Sequence, residues 1–514
     1  MERQPEYVPY VGGESAGAVW SRLEGIKQPL LTRVERYAAL TIPKVCLPDG
    51  FNPESMDQTH DYQSLGAQAV NHVVNKLAVA MFAPSRPFFR VAEGKATKAK
   101  AAESGISETD LQAILSAMER ASAVMLDKLG QRPKLYQALR HLVVTGNVLM
   151  ILDKGHIRIM GLRYFCVKRT HEGKVHTLVT RERMRFDELD PGIQALWATK
   201  YKKEDMVNHY RLIKRLPNGS YYMCQYVDEQ KLPEKYEGRW SEAKMPYRVL
   251  TWDLADESDY ATGLVEEYAG DFESLSVMAE AIVTGAVVGT EFRWAANPNG
   301  MTSVDDLQES RNGDTIPGNP KDIGAITVDV AKGLEIAMKV SNGYEQRISR
   351  GFLLTSAVTR DAERVTAEEV RITAMELEGS FGGTYSSLAP SMQTPMAYWM
   401  LASADTPIIG SDLDVVIITG LDALSRNGDL DNLRMALSDL ASFAQAPEAL
   451  IQRIKWDDLA EFIGQGRGVD LKRFIMNSTE FAQVQKQLAA QQQAQEVATA
   501  GGVASAEAAA QPQQ

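Results

Sequence analysis

The sequence predicts an α+β chain, mainly helical and divided into several domains. Three observations carry this. At 514 residues the chain exceeds what one compact core accommodates. Strand signals concentrate between Val148 and about Asp253, where short β-rich runs flank the turn dipeptides Glu172-Gly173 and Asn218-Gly219. On both sides of that stretch apolar residues recur at three- and four-residue steps, the period of a helix.

The N-terminal part is helical. The pattern predicts helices over Ala16–Leu40 and Gln63–Met81; in the second, Val70, Val73, Val74, Leu77 and Met81 share a face and Pro84 is the stop. "EGKATKAKAAESG" reads as a small basic loop. Ser107 and Asp110 open a helix carrying Leu111, Leu115, Met118 and Met125 as far as Gly130. Pro133 starts the next, which ends near Gly146. The β-rich part follows.

Helix returns over Leu264–Gly289 and again over Leu334–Leu354. Between them, Arg293–Gly333 is rich in Asn, Pro, Gly and Asp, with one strand-like run, "AITVDV", and reads as a small inserted module. In "RDAERVTAEEVRITAMELE" (Arg360 to Glu378), Thr366 and Glu369 have capping-box spacing. Val370, Ala374, Leu377 and Phe381 then form one helical face, which Gly382-Gly383, Pro390 and Pro395 kink. "DLDVVIITG" is a strand, Asp429–Gln487 holds short helices, and the Ala/Gln-rich end reads as disordered.

The net charge of −12 argues against a sequence-specific DNA reader, which needs a basic stripe to offset phosphate charge. It does not exclude a protein that nucleic acid passes through. Cys46, Cys166 and Cys224 lie far apart with no zinc spacing, and read as reduced core thiols. The start lacks a signal pattern, and no run of about 18 apolar residues occurs. The expectation is a soluble, non-secreted protein with no membrane contact.

No catalytic constellation is visible. Gly94-Lys95 and Gly173-Lys174 are followed by Ala and Val, so neither completes a phosphate-cradling loop. His171 and His176 span a hairpin turn and need not converge on a metal. Asp412/Asp414 and Asp429/Asp431 are acidic pairs without further ligands, which favours solvated surface. The expectation is no enzyme, no catalytic residue, no metal and no cofactor.

Six segments together resemble the portal proteins, or head-to-tail connectors, of short-tailed, T-seven-like bacteriophages. They are "LTIPKV" (Leu40 to Val45), "HLVVTGNVLM" (His141 to Met150), "YATGLVEEYAGDFESL" (Tyr260 to Leu275), "ERVTAEEVR" (Glu363 to Arg371), "ELEGSFGGTYS" (Glu376 to Ser386) and "TGLDALSRNGDLDNL" (Thr419 to Leu433). They stand in the family's order across almost the whole chain. Each is weak alone; six in order are highly specific. The inserted module and the Ala/Gln tail carry little of the resemblance.

The resemblance implies a portal fold. Residues 1–262 would form the wing, 263–290 and 334–354 two stem helices, and 291–333 the clip. Residues 355–365 would be a tunnel loop, 366–428 a long kinked wing helix and strand, and 429–487 a helical crown. Residues 488–514 would be a disordered tail. It further implies a homo-oligomeric ring, usually of twelve subunits, at one vertex of the virion capsid, made in the host cytoplasm. Such a ring nucleates head assembly, passes double-stranded DNA without sequence specificity during packaging and ejection, and holds the tail.

The implied partners are the terminase large subunit, major capsid protein, scaffolding protein, tail adaptor and nozzle proteins, and internal core proteins. Arg360 and Arg364 would sit at the DNA channel, or else pair with Glu363 and Glu368. Arg311 and Lys321 would lie on the clip's docking surface. Two other classes stay open: another virion structural protein, such as a scaffold or tail component, and a metal-dependent nuclease using Asp412/Asp414.

Overall fold

The computed structural model describes residues 14–52, 55–56, 61–82, 88–93, 108–153, 155–290, 293–311, 313–326, 331–354, 376–377, 379–381, 387–403, 413–417, 438–439 and 459. Contacts divide the chain into two compact units, Met1–Thr419 and Gly420–Gln514. The architecture below is that of the first.

Helices α1 (Ala16–Leu40) and α2 (Leu65–Met81) precede strand β1 (Phe89–Glu93), and α3 (Glu108–Lys128) and α4 (Arg132–Thr145) follow it. Ser15 caps α1, its hydroxyl accepting the Ala18 N–H at 3.3 Å. The apolar face of α2 (Val70, Val73, Val74 and Leu77) is fully buried in the main core, which it shares with Leu135, Leu139 and Leu142 of α4. The heptad-like spacing of these residues therefore sits on the inward faces, as an amphipathic helix requires.

The β part holds two sheets. Strands β2 (Asn147–Asp153), β3 (His156–Gly161), β4 (Phe165–Arg169), β5 (Val175–Arg185) and β6 (Met206–Arg215) come first. Helix α5 (Pro191–Trp197) sits between β5 and β6. After these come β7 (Tyr221–Val227), β8 (Gln230–Lys231), β9 (Gly238–Trp240) and β10 (Tyr247–Thr251). A three-stranded sheet runs β10-β2-β3; a six-stranded sheet runs β4-β5-β6-β7-β8, with β9 also on β7. Both predicted hairpins form. Gly173 and Gly219 adopt φ of +76° and +79°, which a side chain would oppose. Trp20 and Leu23 of α1 pack with Cys166, Val179, Leu212 and Cys224 in a second core on the six-stranded sheet.

Two helices then form a hairpin. A short helix, α6 (Leu264–Glu267), leads into α7 (Ala269–Thr290), and the return helix is α9 (Ala331–Gly351). Between them stand β11 (Arg293–Ala296), α8 (Val304–Glu309) and β12 (Ile323–Ile326). The chain closes with a π-helical turn at Ala389–Gln393, then α10 (Thr394–Ser403), and β13 (Leu413–Ile417), which pairs with β1. The turn falls at Pro390, whose missing N–H interrupts the regular ladder.

Three sequence readings need correction. The helix read as Leu264–Gly289 is broken at Tyr268, whose N–H turns back to Val265 in a tight turn. The Tyr268 ring instead packs edge-on against Phe352 at 5.3 Å, closing the base of the hairpin. The return helix read as Leu334–Leu354 runs Ala331–Gly351, so Gly333 lies inside it and the left-handed Leu353 (φ +58°) lies past its end. The strand read in "AITVDV" begins earlier, at Ile323, where its register with β11 starts. Thr366, Glu369, Arg360, Arg364 and nearly all of 420–514 lie outside the described residues.

Candidate functional site

The root of the helical hairpin is built from two of the quoted motifs. Asn147, at the start of β2, is fully buried. Its amide donates to the carbonyls of Thr145 (3.0 Å) and Ala261 (2.8 Å), and its Oδ1 accepts the Ala261 N–H at 2.9 Å. Gly146 has φ +71°, and a Cβ there would lie 2.4 Å from the Thr262 carbonyl carbon. Gly263 is pressed as closely on the Val143 and Val144 carbonyls, at 2.8 and 3.0 Å from its would-be Cβ. So "TGN" and "ATG" need their glycines and asparagine because two backbones meet there. That contact fixes where α6 and α7 leave the core.

Beyond this root the hairpin is scarcely buried. Its base is packed by Phe272 against Phe352 at 5.5 Å, and tied by Arg347 to Asp271 at 3.0 Å. Further out, Gly285 lets Leu334 approach. The remaining faces carry apolar side chains in the open. On α7, Val277 is 58% exposed and Val287 53%; on α9, Ile336 is 64% exposed. Val283, Val288, Met338 and Val340 are also exposed. Large apolar side chains left exposed along both helices mark an interaction surface. Val277, Ala281, Ile282, Val287 and Val288 put apolar residues on more than one face of this stretch.

The inserted module is a two-stranded hairpin, β11 on β12, carrying a polar loop. Asp322 organises it: its carboxylate accepts the Met301 N–H at 2.9 Å and the Thr302 hydroxyl at 3.3 Å. Thr302 Oγ1 in turn accepts the Asn319 N–H at 2.8 Å. This frame holds Met301 out at 91% exposure. Arg311 and Lys321 both lie on this module with exposed side chains. Their backbone N–H groups donate to Asp314 (2.7 Å) and Asn319 (3.1 Å) within local turns.

One cluster was not foreseen. Lys76, on the apolar α2, has its ammonium 2.7 Å from the Glu376 carboxylate and 3.4 Å from the Leu353 carbonyl. His72, one turn earlier, donates from Nε2 to the same carbonyl at 3.0 Å. Burial, then the nearby Lys76 charge, lowers the His72 pKa, so the ring is neutral and free to act as a simple donor. The sequence signal was a lysine on an otherwise buried helical face.

The two histidines of the turn have separate partners. His171 lies 3.4 Å from Glu257, whereas His176 Nδ1 meets the Thr177 hydroxyl at 2.9 Å. Asp414 pairs in register with Ala92; Asp412, Asp429 and Asp431 lie outside the described residues. Among the described residues no group of three or more His, Cys, Asp or Glu is placed to hold a metal.

Residues 14–475 match the family model described as bacteriophage head to tail connecting protein. The chain belongs to that family. It is 30% identical to the portal protein of Enterobacteria phage SP6 over 93% of this chain and 93% of that one. It is 30% identical to the portal protein of Escherichia phage T7 over 84% of this chain and 83% of that one. A subunit from the neck of an empty gene transfer agent particle superposes with a TM-score of 0.37 at 10% identity, covering 79% of this chain and 90% of that one, a match too distant to bear on the fold. The connector family thus spans the hairpin root, the exposed hairpin and the inserted module alike.

Proposed function

We propose that the chain is the subunit of a phage portal: a ring at the capsid vertex through which the genome is packaged and later ejected. The observation that carries the reading is the exposed apolar hairpin of α7 and α9 in a chain of the connector family. By length and composition α7 is apolar enough to cross a bilayer. In a ring, neighbouring copies cover that surface instead. A patch on α7 that meets a different patch on the next copy generates a head-to-tail interface, and a rotation that closes gives a ring. Burying a valine is worth about 1.5 kcal/mol, so several per interface, repeated around the ring, offset the cost of ordering the subunits.

In this reading residues 1–262 are wing, α7 and α9 are stem, 291–333 the clip, and 429–487 the crown. The role is structural, with no reaction catalysed. Residues 355–365 border the channel, with Arg360 and Arg364 as its basic points. The net charge of −12 suits a wall along which DNA slides, since each phosphate neutralised would release counterions and strengthen binding. The clip, with Arg311, Lys321 and the projecting Met301, faces the packaging motor and later the tail. Capsid, scaffolding, core and tail-adaptor proteins would meet the other surfaces.

Native mass spectrometry of the purified full chain tests this. The expected result is a single closed oligomer, about twelve subunits as in portal rings generally. Monomer alone, across micromolar concentrations and a range of salts, would overturn it.

A further inference from the structure

The two helices of the hairpin meet through one stripe apiece. Phe272 and Leu275 are buried on α7, and Ser341 and Ile348 on α9. Two contacts fix how the helices run past each other in opposite directions. Arg347 meets Asp271 at 3.0 Å, and a Cβ on Gly285 would lie 3.0 Å from a Leu334 methyl carbon. Flanking the shared stripe, the hairpin has two outer sides, and they differ.

On the first side, Val277, Ala281 and Val288 recur at helical spacing on α7, and Ile336, Val340 and Gly343 recur likewise on α9. These two rows share a side because Arg347, one turn beyond Gly343 in the α9 row, crosses there to Asp271. The side is apolar and shallow. Ala281 is small, and a Cβ on Gly343 would meet nothing within 4 Å. Its cation is Arg347, still 57% exposed in its side chain despite the Asp271 contact.

The second side projects and is acidic. Val283 and Val287 stand out from α7, and Met338 from α9. Around them lie Glu280 and Glu345, exposed carboxylates with no salt bridge among the described residues, whereas Glu335 is matched by Lys339 at 2.7 Å. One chain therefore carries both halves of a contact: a ridge with spare negative charge, and a shallow apolar face with a cation at its end. Either side packed on itself would set like charges together.

We propose that the second side of one copy packs on the first side of the next. This rests on the ring reading above and names its two contact faces. A rotation axis running along the hairpin moves no residue up or down, so each helix meets the same helix of its neighbour. On α9, Met338 then enters the gap between Ile336 and Val340 of the next copy, and Glu345 comes beside Arg347. On α7, Val283 and Val287 cover Ala281 and Val288.

Cross-linking of the full chain tests the pairing. Met338→Cys and Val340→Cys are made singly and together and treated with a short bismaleimide, with native mass spectrometry in parallel. Both positions are exposed, so folding is kept, and the native thiols of Cys46, Cys166 and Cys224 are buried. The two new thiols point to opposite sides of one helix, so no link closes within a chain. The expected result on a denaturing gel is a ladder from the double variant that extends beyond the dimer. Each single variant stays monomeric, and an equal mixture of the two, assembled together, stops at the dimer. A dimer from either single variant overturns the pairing, since it requires a side packed on itself. An intact oligomer whose double variant does not link also overturns it and leaves the ring standing. Monomer alone in native mass spectrometry of the wild type overturns the ring and the pairing together.

Discussion

The Lys76 ammonium and the Glu376 carboxylate, 300 positions apart in the chain, meet at 2.7 Å. Lys76 is 3% exposed in its side chain and Glu376 is 27% exposed. The same ammonium reaches the carbonyl of Leu353, a left-handed residue just past the end of α9. One lysine on α2 therefore touches both the end of the helical hairpin and Glu376. The asymmetry of burial makes a prediction. Glu376→Gln takes the Glu376 charge from a nearly buried ammonium and should cost about 3 kcal/mol, while Lys76→Met leaves a carboxylate that water still reaches and should cost about 1 kcal/mol. Equilibrium denaturation of both variants checks this; equal losses, or a greater loss for Lys76→Met, would contradict the geometry.

The Asn147 network at the hairpin root should be as sensitive. Asn147→Ala leaves the Ala261 N–H and carbonyl buried without partners, at about 1–3 kcal/mol for such groups. Gly146→Ala adds both a strained φ and a clash with the Thr262 backbone. Both variants should unfold at lower denaturant concentration with far-ultraviolet circular dichroism otherwise native. Wild-type midpoints would show that the two motifs do not depend on each other.

How much of this was readable in advance differs by element. The helix Ala16–Leu40, the helix read as Gln63–Met81 and found over Leu65–Met81, and the hairpin at Asn218-Gly219 follow from local chemistry, a cap, an apolar stripe or a turn dipeptide. The break at Tyr268 was not readable, because it depends on Phe352 arriving from the return helix. The Lys76–Glu376 pair was hidden for the same reason: period and composition report what a residue faces, not which distant residue faces it. Of the candidate residues, Arg311 and Lys321 sit on the module the sequence marked as polar and turn-rich, whereas Asn147 meets Ala261 across 114 positions that no local pattern links.

Stability should fall in mild acid through two histidines. Burial lowers the pKa of His141 and of His209 to about 4, from an ordinary value near 6.5. The unfolded chain takes up these protons as pH drops through about 6.5, and the folded chain only near 4. Their contribution is therefore whole above about pH 6.5 and is lost between there and pH 4, at up to about 1.4 kcal/mol per pH unit for each. Melting temperatures recorded from pH 7.5 to 5 should decline, and His209→Gln should flatten the decline. A profile flat across this range would rule the histidines out.

The exposed valines of α7 should govern assembly and not folding. Val287 is 53% exposed and Val277 58%. Val287→Asp and Val277→Asp place a charge where the proposed ring buries an apolar contact, a penalty repeated at every interface. In the monomer the change should stay within about 0.5 kcal/mol. Light scattering should therefore find dissociated subunits whose circular dichroism and unfolding midpoint match the wild type. Intact oligomers in both variants would mean that another surface builds the ring.

The inserted module offers a cleaner separation of assembly from docking. Among the described residues from 303 to 321 none is buried, so removing the segment takes little from any core. Its ends are already joined: the Thr302 hydroxyl lies 3.3 Å from the Asp322 carboxylate, and β11 pairs with β12 immediately beyond. Closing the chain from Thr302 to Asp322 therefore asks for a short turn on an existing hairpin, which costs little loop entropy. The cost is the loss of the Asn319 contacts that hold Thr302. Deleting Ser303–Lys321 should leave soluble protein, the same oligomer and a melting temperature within a few degrees of wild type. Because Arg311, Lys321 and Asn319, which helps to hold Thr302, go with it, binding of the packaging motor and DNA packaging should fail. Insoluble or monomeric protein would show that the module serves the fold or the ring. Normal packaging by a ring lacking the segment would remove the docking role from it altogether.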